Sequence, residues 1–514
     1  VIAAAIALVL LGRTDTRPGA SASQGVLDLR AWDFDRDGMA SLKGEWEFFW
    51  NELLPPGASG GGSGNRPRIV SVPNVWTNYE GEDGPYPGHG YATYRLTVLL
   101  PEKYSTQGAG AGTGGARTGA GGIPFRLGLS IPDLSTACAV FVNGQEVARC
   151  GKPAASPEEA EAKYAPQAAV FEPTGDKLEI VVHISNYLYD RGGMWYALEL
   201  GTEEQARTQR ENDLAMSLVL MGVFLFMGLY HLVLYSLRPR EKTALFFGLG
   251  CLIGAARLFV VDEMFILNLM PGATIELITA IVYFTYYGGV AVLTLYLREL
   301  YPDEISNWAV RIVLAVSAVF IATVVAAPLS TYTYLIRYYH LFAIAVGLYL
   351  IGGVFLALWR GRDGTRLQFV GISFFVLAIF HDILFNVFYI AEFNPASREV
   401  QFVRRQLVQI GLFVLVFVQA IILARRFSKA FNAAERLSER LLSLDKLKNE
   451  FLTNTSHELK TPLHVVMNMS QAMLDGCGGP LTEAQRRNLT AMVAVTRRLA
   501  NLIQDIIDVS KMKH

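Results

Sequence analysis

Charged side chains are scarce in this sequence, and the few charges that it carries cancel almost completely. Only 18% of the 514 residues are charged, and the formal net charge is -1. Soluble globular proteins usually carry about a quarter charged residues, so this balance indicates a membrane protein. A net charge near zero also gives no electrostatic basis for a nucleic-acid partner, and we expect none.

Cysteine and histidine are also rare, which argues against a disulfide framework and against a metal centre. The chain has four cysteines, and its eight histidines show no ligand spacing. Cys138 and Cys150 flank a turn at Asn143-Gly144. A two-residue turn would set Cys138 opposite Arg149, whereas one extra residue would bring the two sulfurs face to face. Whether the two cysteines form a disulfide depends on which of these registers the strands adopt.

Long apolar runs are abundant, and they divide the chain into regions. Residues 1–12 form a run that is short for a membrane span, and we interpret it as the remnant of a signal peptide or signal anchor. Seven longer spans lie within residues 213–424, which we interpret as a seven-helix transmembrane bundle. The spans lie near residues 213–236, 243–261, 274–296, 308–327, 332–358, 367–390 and 407–423.

The distribution of cationic residues predicts the orientation of these spans. If the first span enters the cell, the inner loops contain Arg238, Arg298 and Arg360, and Arg425 and Arg426 follow the last span. Cytoplasmic loops are enriched in arginine and lysine. We therefore expect a multi-pass protein in contact with membrane lipid, with its N-terminal domain outside the cell and its C-terminus in the cytoplasm.

Residues 24–206 have the pattern of a β domain. Short runs such as 94–100 and 178–184 are separated by turns rich in Gly, Pro, Asn and Asp. Two glycine-rich stretches, 57–65 and 105–122, cannot bury apolar surface, and we interpret them as loops inserted between strands.

The sequence after the last span is helical and amphipathic. We interpret residues 425–446 as a helical signalling linker and residues 447–514 as a helical hairpin. Apolar residues recur at spacings of three and four in both helices, and a second copy of the chain would bury this seam in a four-helix bundle. A homodimer is therefore predicted. The seam comprises Leu437, Leu441, Leu444, Leu447 and Phe451 in the first helix, and Leu489, Met492, Val495, Leu499, Leu502, Ile506 and Val509 in the second.

A motif in the first of these helices indicates the chemistry. Residues 451–463 read FLTNTSHELKTPL. At about 100° per residue, His457 points away from the apolar seam, and an exposed imidazole can attack a phosphorus atom. Glu458 adjoins it and could orient the ring or accept its proton.

The same residues resemble the H-box of histidine kinases, and the second helix follows that family's pattern at residues 499–510. The resemblance implies that His457 is the phosphoacceptor, that Glu458 is the general base and that Thr461 positions water for dephosphorylation of a response regulator. It further implies a cytoplasmic response regulator as partner, with ATP and Mg²⁺ as cofactors of the full-length kinase.

The boxes of an ATP-binding domain do not occur before His514. We therefore expect that this chain is truncated ahead of that domain and contains no cofactor site. The alternative is a non-catalytic receptor or phosphotransfer protein that a separate kinase phosphorylates. A transporter with a regulatory tail is a third interpretation, but the internal repeats that it predicts are not evident.

Ionisable residues within the apolar spans are costly and usually have partners. Arg257 in the second span and His381 and Asp382 in the sixth lie at a similar depth. We predict a polar cluster around an Arg257–Asp382 pair, which either relays ligand binding or acts as a structural clasp.

The order of the parts brings a second resemblance, to bacterial seven-transmembrane receptors with diverse intracellular signalling modules. The N-terminal domain, with motifs at 44–50, 72–76 and 90–95, is similar to jelly-roll sandwiches of the galactose-binding type. The fold class predicted is thus a multidomain membrane protein with a β-sandwich (jelly-roll) ectodomain, a seven-helix transmembrane bundle and an all-α dimerisation and phosphoacceptor hairpin. The resemblance implies a bacterial cell membrane.

The resemblance to galactose-binding sandwiches also implies an extracellular small ligand, such as a carbohydrate. The aromatic side chains of Trp76, Tyr79, Tyr187 and Trp195 could stack on a sugar ring. The alternative is that most of them fill the sandwich core.

Overall fold

The computed structural model describes most of the chain, which forms two compact units, residues 1–420 and residues 421–514. The apolar run at 1–12 and nearly all of the two glycine-rich stretches lie outside the described residues. Those residues are 20–55, 57, 67–104, 125–134, 136–163, 165–362, 364–388 and 407–512.

A large, mainly antiparallel sheet forms one layer of the N-terminal domain. Its central strand, β6 (Gly90–Leu99), pairs over its whole length with β11 (Lys177–Asn186). The other edge of β6 is shared by β3 (Gly44–Trp50), which pairs antiparallel, and by β1 (Val26–Asp28), which pairs parallel. Beyond β3 and β11 the sheet continues with β4 (Arg68–Val72), β8 (Ala137–Val142) and β9 (Gln145–Cys150).

A second sheet of four strands forms the opposite layer, and the two sheets share one hydrophobic core. Its strands, in order, are β10 (Gln167–Phe171), β7 (Leu127–Ile131), β13 (Glu199–Thr202) and β2 (Ala40–Ser41). Trp46 and Tyr94 from the large sheet and Leu129 and Leu200 from the small one are fully buried in that core. The described residues therefore form a two-layer β-sandwich. The remaining strands are β5 (Asn74–Val75) and β12 (Gly193–Met194), which pair with each other.

Seven helices of the described residues are long and apolar enough to cross a membrane, which confirms a multi-pass membrane protein. Large apolar side chains such as Phe226, Val325 and Leu341 are exposed on these helices, as expected for a surface in contact with lipid. The helices are α1 (Glu203–Leu237), α2 (Lys242–Val260), α3 (Ile275–Leu300), α4 (Asn307–Ala326), α5 (Leu329–Trp359), α6 (Thr365–Phe388) and α7 (Leu407–Leu474).

The first and last membrane helices extend beyond the apolar spans. α1 begins at Glu203, directly after β13, because Thr202 forms a capping box with Gln205. α7 continues through residues 425–446 and past Pro462 to Leu474. The final helix is α8 (Glu483–Met512), and the short helices comprise Phe34–Asp37, Trp76–Asn78, Glu102–Tyr104 and Ile266–Leu269.

The hairpin of β8 and β9 combines the two registers that the sequence analysis treated as alternatives. A two-residue turn joins the strands, yet Cys138 stands opposite Cys150. A β-bulge next to Phe141 explains this, because one strand of the pair gains an extra residue. Both cysteines are free and buried, and burial raises the pKa of the Cys138 thiol to about 12.

Candidate functional site

The C-terminal part of α7 and α8 pack side by side as a helical pair. Lys460 donates a hydrogen bond to the side chain of Gln504, and the Ser470 hydroxyl lies 3.3 Å from the sulfur of Met492. The face between the helices is narrow and partly polar. Its most buried residues are Ser456, Ser470, Val493, Thr496 and Ile503.

The predicted apolar seam lies on a different face and is exposed along both helices. The exposed fractions range from 46% for Leu499 to 67% for Val495. The chain itself does not cover this long apolar stripe, and exposed apolar patches of such size usually mark an interaction surface. The exposed members are Leu437, Leu441, Leu444, Leu447 and Phe451 in α7, and Met492, Val495, Leu499, Leu502 and Ile506 in α8.

His457 lies on the exposed side of α7 next to the buried Ser456. Glu458 is exposed beside it. One turn later, the Thr461 hydroxyl donates a hydrogen bond of 3.1 Å to the backbone oxygen of His457. The structure therefore brings the three predicted residues onto adjacent turns, with the imidazole open to an incoming phosphoryl group and a carboxylate nearby.

The described residues around His457 do not fit a Mg²⁺-nucleotide site. They provide a nucleophile and a carboxylate on one exposed helix, and no enclosing surface. Nowhere in the described part of the chain do three His, Cys, Asp or Glu side chains group in a way that could hold a metal ion.

The predicted membrane cluster is partly brought together. Arg257 and Asp382 both line a cavity of about 150 Å³ between the membrane helices. The Arg257 guanidinium donates a hydrogen bond of 3.2 Å to the backbone oxygen of Val282. His381 is exposed and does not line the cavity, because it lies on another face of α6.

A junction that the sequence analysis missed connects the sandwich with the membrane helices. Leu188 packs against an aromatic cluster at one end of the bundle. The Tyr189 hydroxyl lies 2.9 Å from the Thr279 hydroxyl, and Arg337 forms an ion pair of 3.2 Å with Asp190. These contacts join residues far apart in the sequence, so no local pattern could have indicated them.

The aromatic residues proposed for sugar stacking require a correction. Trp76 has no exposed surface, and its ring packs so tightly that a Cβ at Gly192 would lie 2.1 Å from it. Tyr79 is also buried, and its hydroxyl donates to the backbone oxygen of Ser71 at 2.8 Å. Both side chains fill the sandwich core, because large aromatic surfaces are most stable when removed from water.

The other two aromatic residues are half-buried. The Tyr187 hydroxyl donates a hydrogen bond of 3.1 Å to the backbone oxygen of Ala154. Trp195 lies just beyond β12 at a similar level of exposure. These two keep part of their surface accessible, and stacking on a ligand stays a prediction for them alone.

Two family models match separate parts of the chain. Residues 213–426 match the family described as 7TM diverse intracellular signalling. Residues 447–514 match the His Kinase A (phospho-acceptor) domain. The first region covers α2 to α6 completely, α1 from residue 213 and α7 as far as residue 426, and the second covers the C-terminal part of α7 with His457 and α8.

Several curated proteins are similar to the C-terminal part. The hybrid signal transduction protein dokA of Dictyostelium discoideum is 45% identical over 69 residues, which cover 13% of this chain and 4% of that protein. The circadian input-output histidine kinase CikA of Synechococcus elongatus is 39% identical over 100 residues, or 20% of this chain and 12% of that protein. The sensor histidine kinase GlrK of Escherichia coli is 36% identical over 75 residues, covering 15% and 16%.

The chain therefore spans less than a fifth of each of these relatives. Among solved structures, a β-glucuronidase of Faecalibacterium prausnitzii matches 32% of this chain and 31% of its own, at 13% identity and a TM-score of 0.23. A similarity this low carries no argument about ligand or activity.

Proposed function

We propose that this chain is the sensing and phosphoacceptor part of a two-component sensor histidine kinase. Residues 213–426 match a seven-transmembrane signalling region, and residues 447–514 match a histidine phosphoacceptor domain. The observation that carries the proposal is the exposed His457, with Glu458 beside it, inside the matched phosphoacceptor domain. The named histidine kinases that resemble this domain support it.

The proposed chemistry follows from the side chains at the site. An imidazole nitrogen of His457 attacks the terminal phosphorus of the phosphoryl donor, the bond from this phosphorus to the donor's leaving oxygen breaks as the N–P bond forms, and Glu458 accepts the proton that the imidazole loses. The phosphoryl group then passes to an aspartate of a cytoplasmic response regulator. Thr461 is the proposed residue that positions a water molecule for hydrolysis of the phosphoaspartate of the response regulator, which releases inorganic phosphate. In the whole protein, ATP with Mg²⁺ is the proposed phosphoryl donor.

The proposed assembly is a homodimer in a bacterial cell membrane. Its sandwich domain faces the outside, where a small ligand such as a carbohydrate binds, and its helical pair lies in the cytoplasm. The arginine-rich loops favour this orientation. The exposed apolar seam supports dimerisation, because a four-helix bundle would remove it from water.

The proposed signal route uses elements that are continuous in the chain. The junction at Tyr189 and Asp190 ties the sandwich to α3 and α5. α7 carries both the last membrane segment and His457. A shift of the membrane helices would therefore change the rotation or tilt of the helix that bears the phosphoacceptor.

The test is phosphorylation of the full-length protein in lipid nanodiscs with radiolabelled ATP. His457→Gln should abolish incorporation of the label, since glutamine is not a nucleophile towards phosphorus. His464→Gln is the matched control, because His464 is also exposed and lies on the same helix. The control should retain nearly full labelling.

The same experiment separates the two candidate functions. Label that survives in His457→Gln would overturn the assignment of the phosphoacceptor. If the wild-type protein acquires label only when a separate histidine kinase is added, the alternative of a non-catalytic receptor or phosphotransfer protein replaces the kinase.

A further inference from the structure

Two thiols stand opposite each other in the hairpin of β8 and β9. Cys138 pairs with Cys150 in the register of these antiparallel strands. The Cα atoms of directly opposed residues in such a pair lie about 4.5–5.5 Å apart, and those of disulfide-bonded cysteines usually lie about 4.4–6.8 Å apart. The backbone therefore holds the two cysteines at a separation that a disulfide spans.

The two side chains also point to the same face of the large sheet. Opposed residues of an antiparallel pair share a face, and Cys138 and Cys150 both belong to the core of the sandwich, at 4% and 5% exposed. The β-bulge next to Phe141 creates this alignment, because without it the two-residue turn would set Cys138 opposite Arg149. A disulfide between the two sulfurs therefore needs no change of register.

The pair lies at a place where a covalent link has something to hold. β9 is an edge strand of the large sheet and pairs with β8 alone among the described strands. After Cys150 the chain leaves the sheet as the loop 151–163. This loop covers Tyr187, whose hydroxyl donates a hydrogen bond of 3.1 Å to the backbone oxygen of Ala154. A link at Cys150 would fix the first end of the loop.

We propose that Cys138 and Cys150 form a disulfide that fastens the edge strand β9 and the loop 151–163 to the sandwich. The free thiols of the structure are the reduced form of this pair. The inference rests on the proposed function in one respect, the placement of the sandwich outside the cell, where disulfides form and persist. Cys251 in α2 and Cys477 between α7 and α8 have no such partner and stay thiols.

The oxidant is a small-molecule or protein disulfide, such as oxidised glutathione. The Cys150 thiolate attacks one of its sulfurs, and one glutathione thiolate leaves and takes up a proton. The Cys138 thiolate then attacks the Cys150 sulfur, and the second glutathione leaves in the same way. Two protein thiols are oxidised, and one disulfide is reduced to two thiols. Burial raises the pKa of both cysteines, so the reaction proceeds while β9 is unpaired, during folding or when the edge opens.

The first test uses the full chain in lipid nanodiscs, equilibrated with oxidised and reduced glutathione. Remaining thiols are blocked with N-ethylmaleimide, and the protein is digested with trypsin. Cleavage after Arg149 places the two cysteines in separate peptides, 127–149 and 150–163. Mass spectrometry should find these peptides joined, with two hydrogens fewer than their sum, and separated after reduction. Cysteines that carry N-ethylmaleimide or glutathione individually would overturn the proposal.

Cys138→Ala is the control for this experiment, because Cys150 then has no partner and should carry glutathione or N-ethylmaleimide. Cys477 is an internal reference, since it is exposed and should be blocked in every sample.

The same digestion of protein blocked inside intact cells separates this proposal from the proposed function. Joined peptides there support both the disulfide and the outside placement of the sandwich. Peptides that join with glutathione but not in cells would contradict the outside placement and leave the pairing of the cysteines intact. Neither result depends on phosphorylation of His457.

A second test measures what the link stabilises. A disulfide that closes the segment from Cys138 to Cys150 restricts the unfolded chain, so reduction should lower the melting temperature of the sandwich by about 6–12 °C. Cys138→Ala/Cys150→Ala should melt at the same temperature with and without reductant. Cys251→Ala/Cys477→Ala is the matched control and should keep the full difference. An equal response of the two double variants to reductant would overturn the stabilising role of this pair.

Discussion

Large apolar side chains have opposite environments in the sandwich and in the C-terminal helical pair. In the sandwich, Trp46, Phe48 and Tyr94 are 0–1% exposed. In the helical pair, Leu444 and Phe451 are 62% and 66% exposed. The sandwich completes its core within one chain because two sheets face each other, whereas two helices can cover only one stripe of each other.

This difference separates two kinds of stability. A substitution in the sandwich core changes the free energy of unfolding of one chain, whatever the protein concentration. A substitution in the exposed seam changes an association equilibrium, and its effect depends on protein concentration. The following predictions use this distinction.

The largest effect is expected in the seam. Leu441→Glu places a charge where two copies of α7 are predicted to meet, and the change occurs once in each copy. Loss of two buried leucines, at about 1.5–3 kcal/mol each, raises the dissociation constant of the dimer by at least a hundredfold. Analytical ultracentrifugation in detergent measures this constant.

Leu442→Glu is the control for the seam. Leu442 is 70% exposed and adjoins Leu441, but it lies off the predicted stripe. Its substitution should leave the dimer nearly intact. Equal dissociation of both variants would contradict the predicted seam. A dimer that neither substitution weakens would show that the seam does not form the interface.

The next largest effect is expected in the sandwich core. Trp46 is fully buried, and its indole nitrogen donates a hydrogen bond of 2.8 Å to the backbone oxygen of Leu42. Trp46→Ala should cost about 3–5 kcal/mol and lower the melting temperature of the sandwich by about 6–20 °C. Unlike the seam effect, this shift should not vary with protein concentration.

Ile69→Ala is the control for the core, because Ile69 is 37% exposed in the neighbouring β4. It should cost about 1 kcal/mol or less. Differential scanning fluorimetry of the full chain at two protein concentrations checks both expectations. A Trp46→Ala shift no larger than that of Ile69→Ala would show that the core does not depend on this side chain.

The same contrast explains what the sequence could predict. The membrane spans and the helix of His457 follow from local composition and a local motif, so their prediction needs no knowledge of distant residues. The Cys138 register depends on a β-bulge, and the environment of Trp76 depends on which sheet face it meets. Neither can be predicted from a short stretch of sequence. The pattern of the hairpin does not indicate a bulge, and aromatic residues at a core position and at a ligand site look alike in sequence.

The cavity between the membrane helices and the junction with the sandwich are the features that the sequence predicts least. Both depend on how helices distant in the sequence pack, so no local pattern around Asp190 indicates its contact with Arg337. Arg257, a charged residue in an apolar span, did indicate a polar cluster at this depth, because burial of a charge is costly without a partner; the cavity that it lines was not predicted. A residue whose burial costs free energy can therefore be recognised from the sequence before the rest of its site.

The smallest effect is expected from a histidine inside the sandwich. His183 is 8% exposed, its ring lies 2.8 Å from the backbone oxygen of Leu54, and burial lowers its pKa from the usual 6.5. Above pH 6.5 the ring is neutral in both states and the sandwich has its full stability. As the pH falls below 6.5, the unfolded chain binds a proton that the folded chain resists, so stability decreases until the lower, folded pKa is reached.

Urea midpoints of the sandwich at pH 7.5 and 5.5 measure this loss of stability. His183→Gln should reduce it, whereas His89→Gln, at an exposed position of the same domain, should not. An identical pH dependence in all three proteins would show that His183 does not cause the loss.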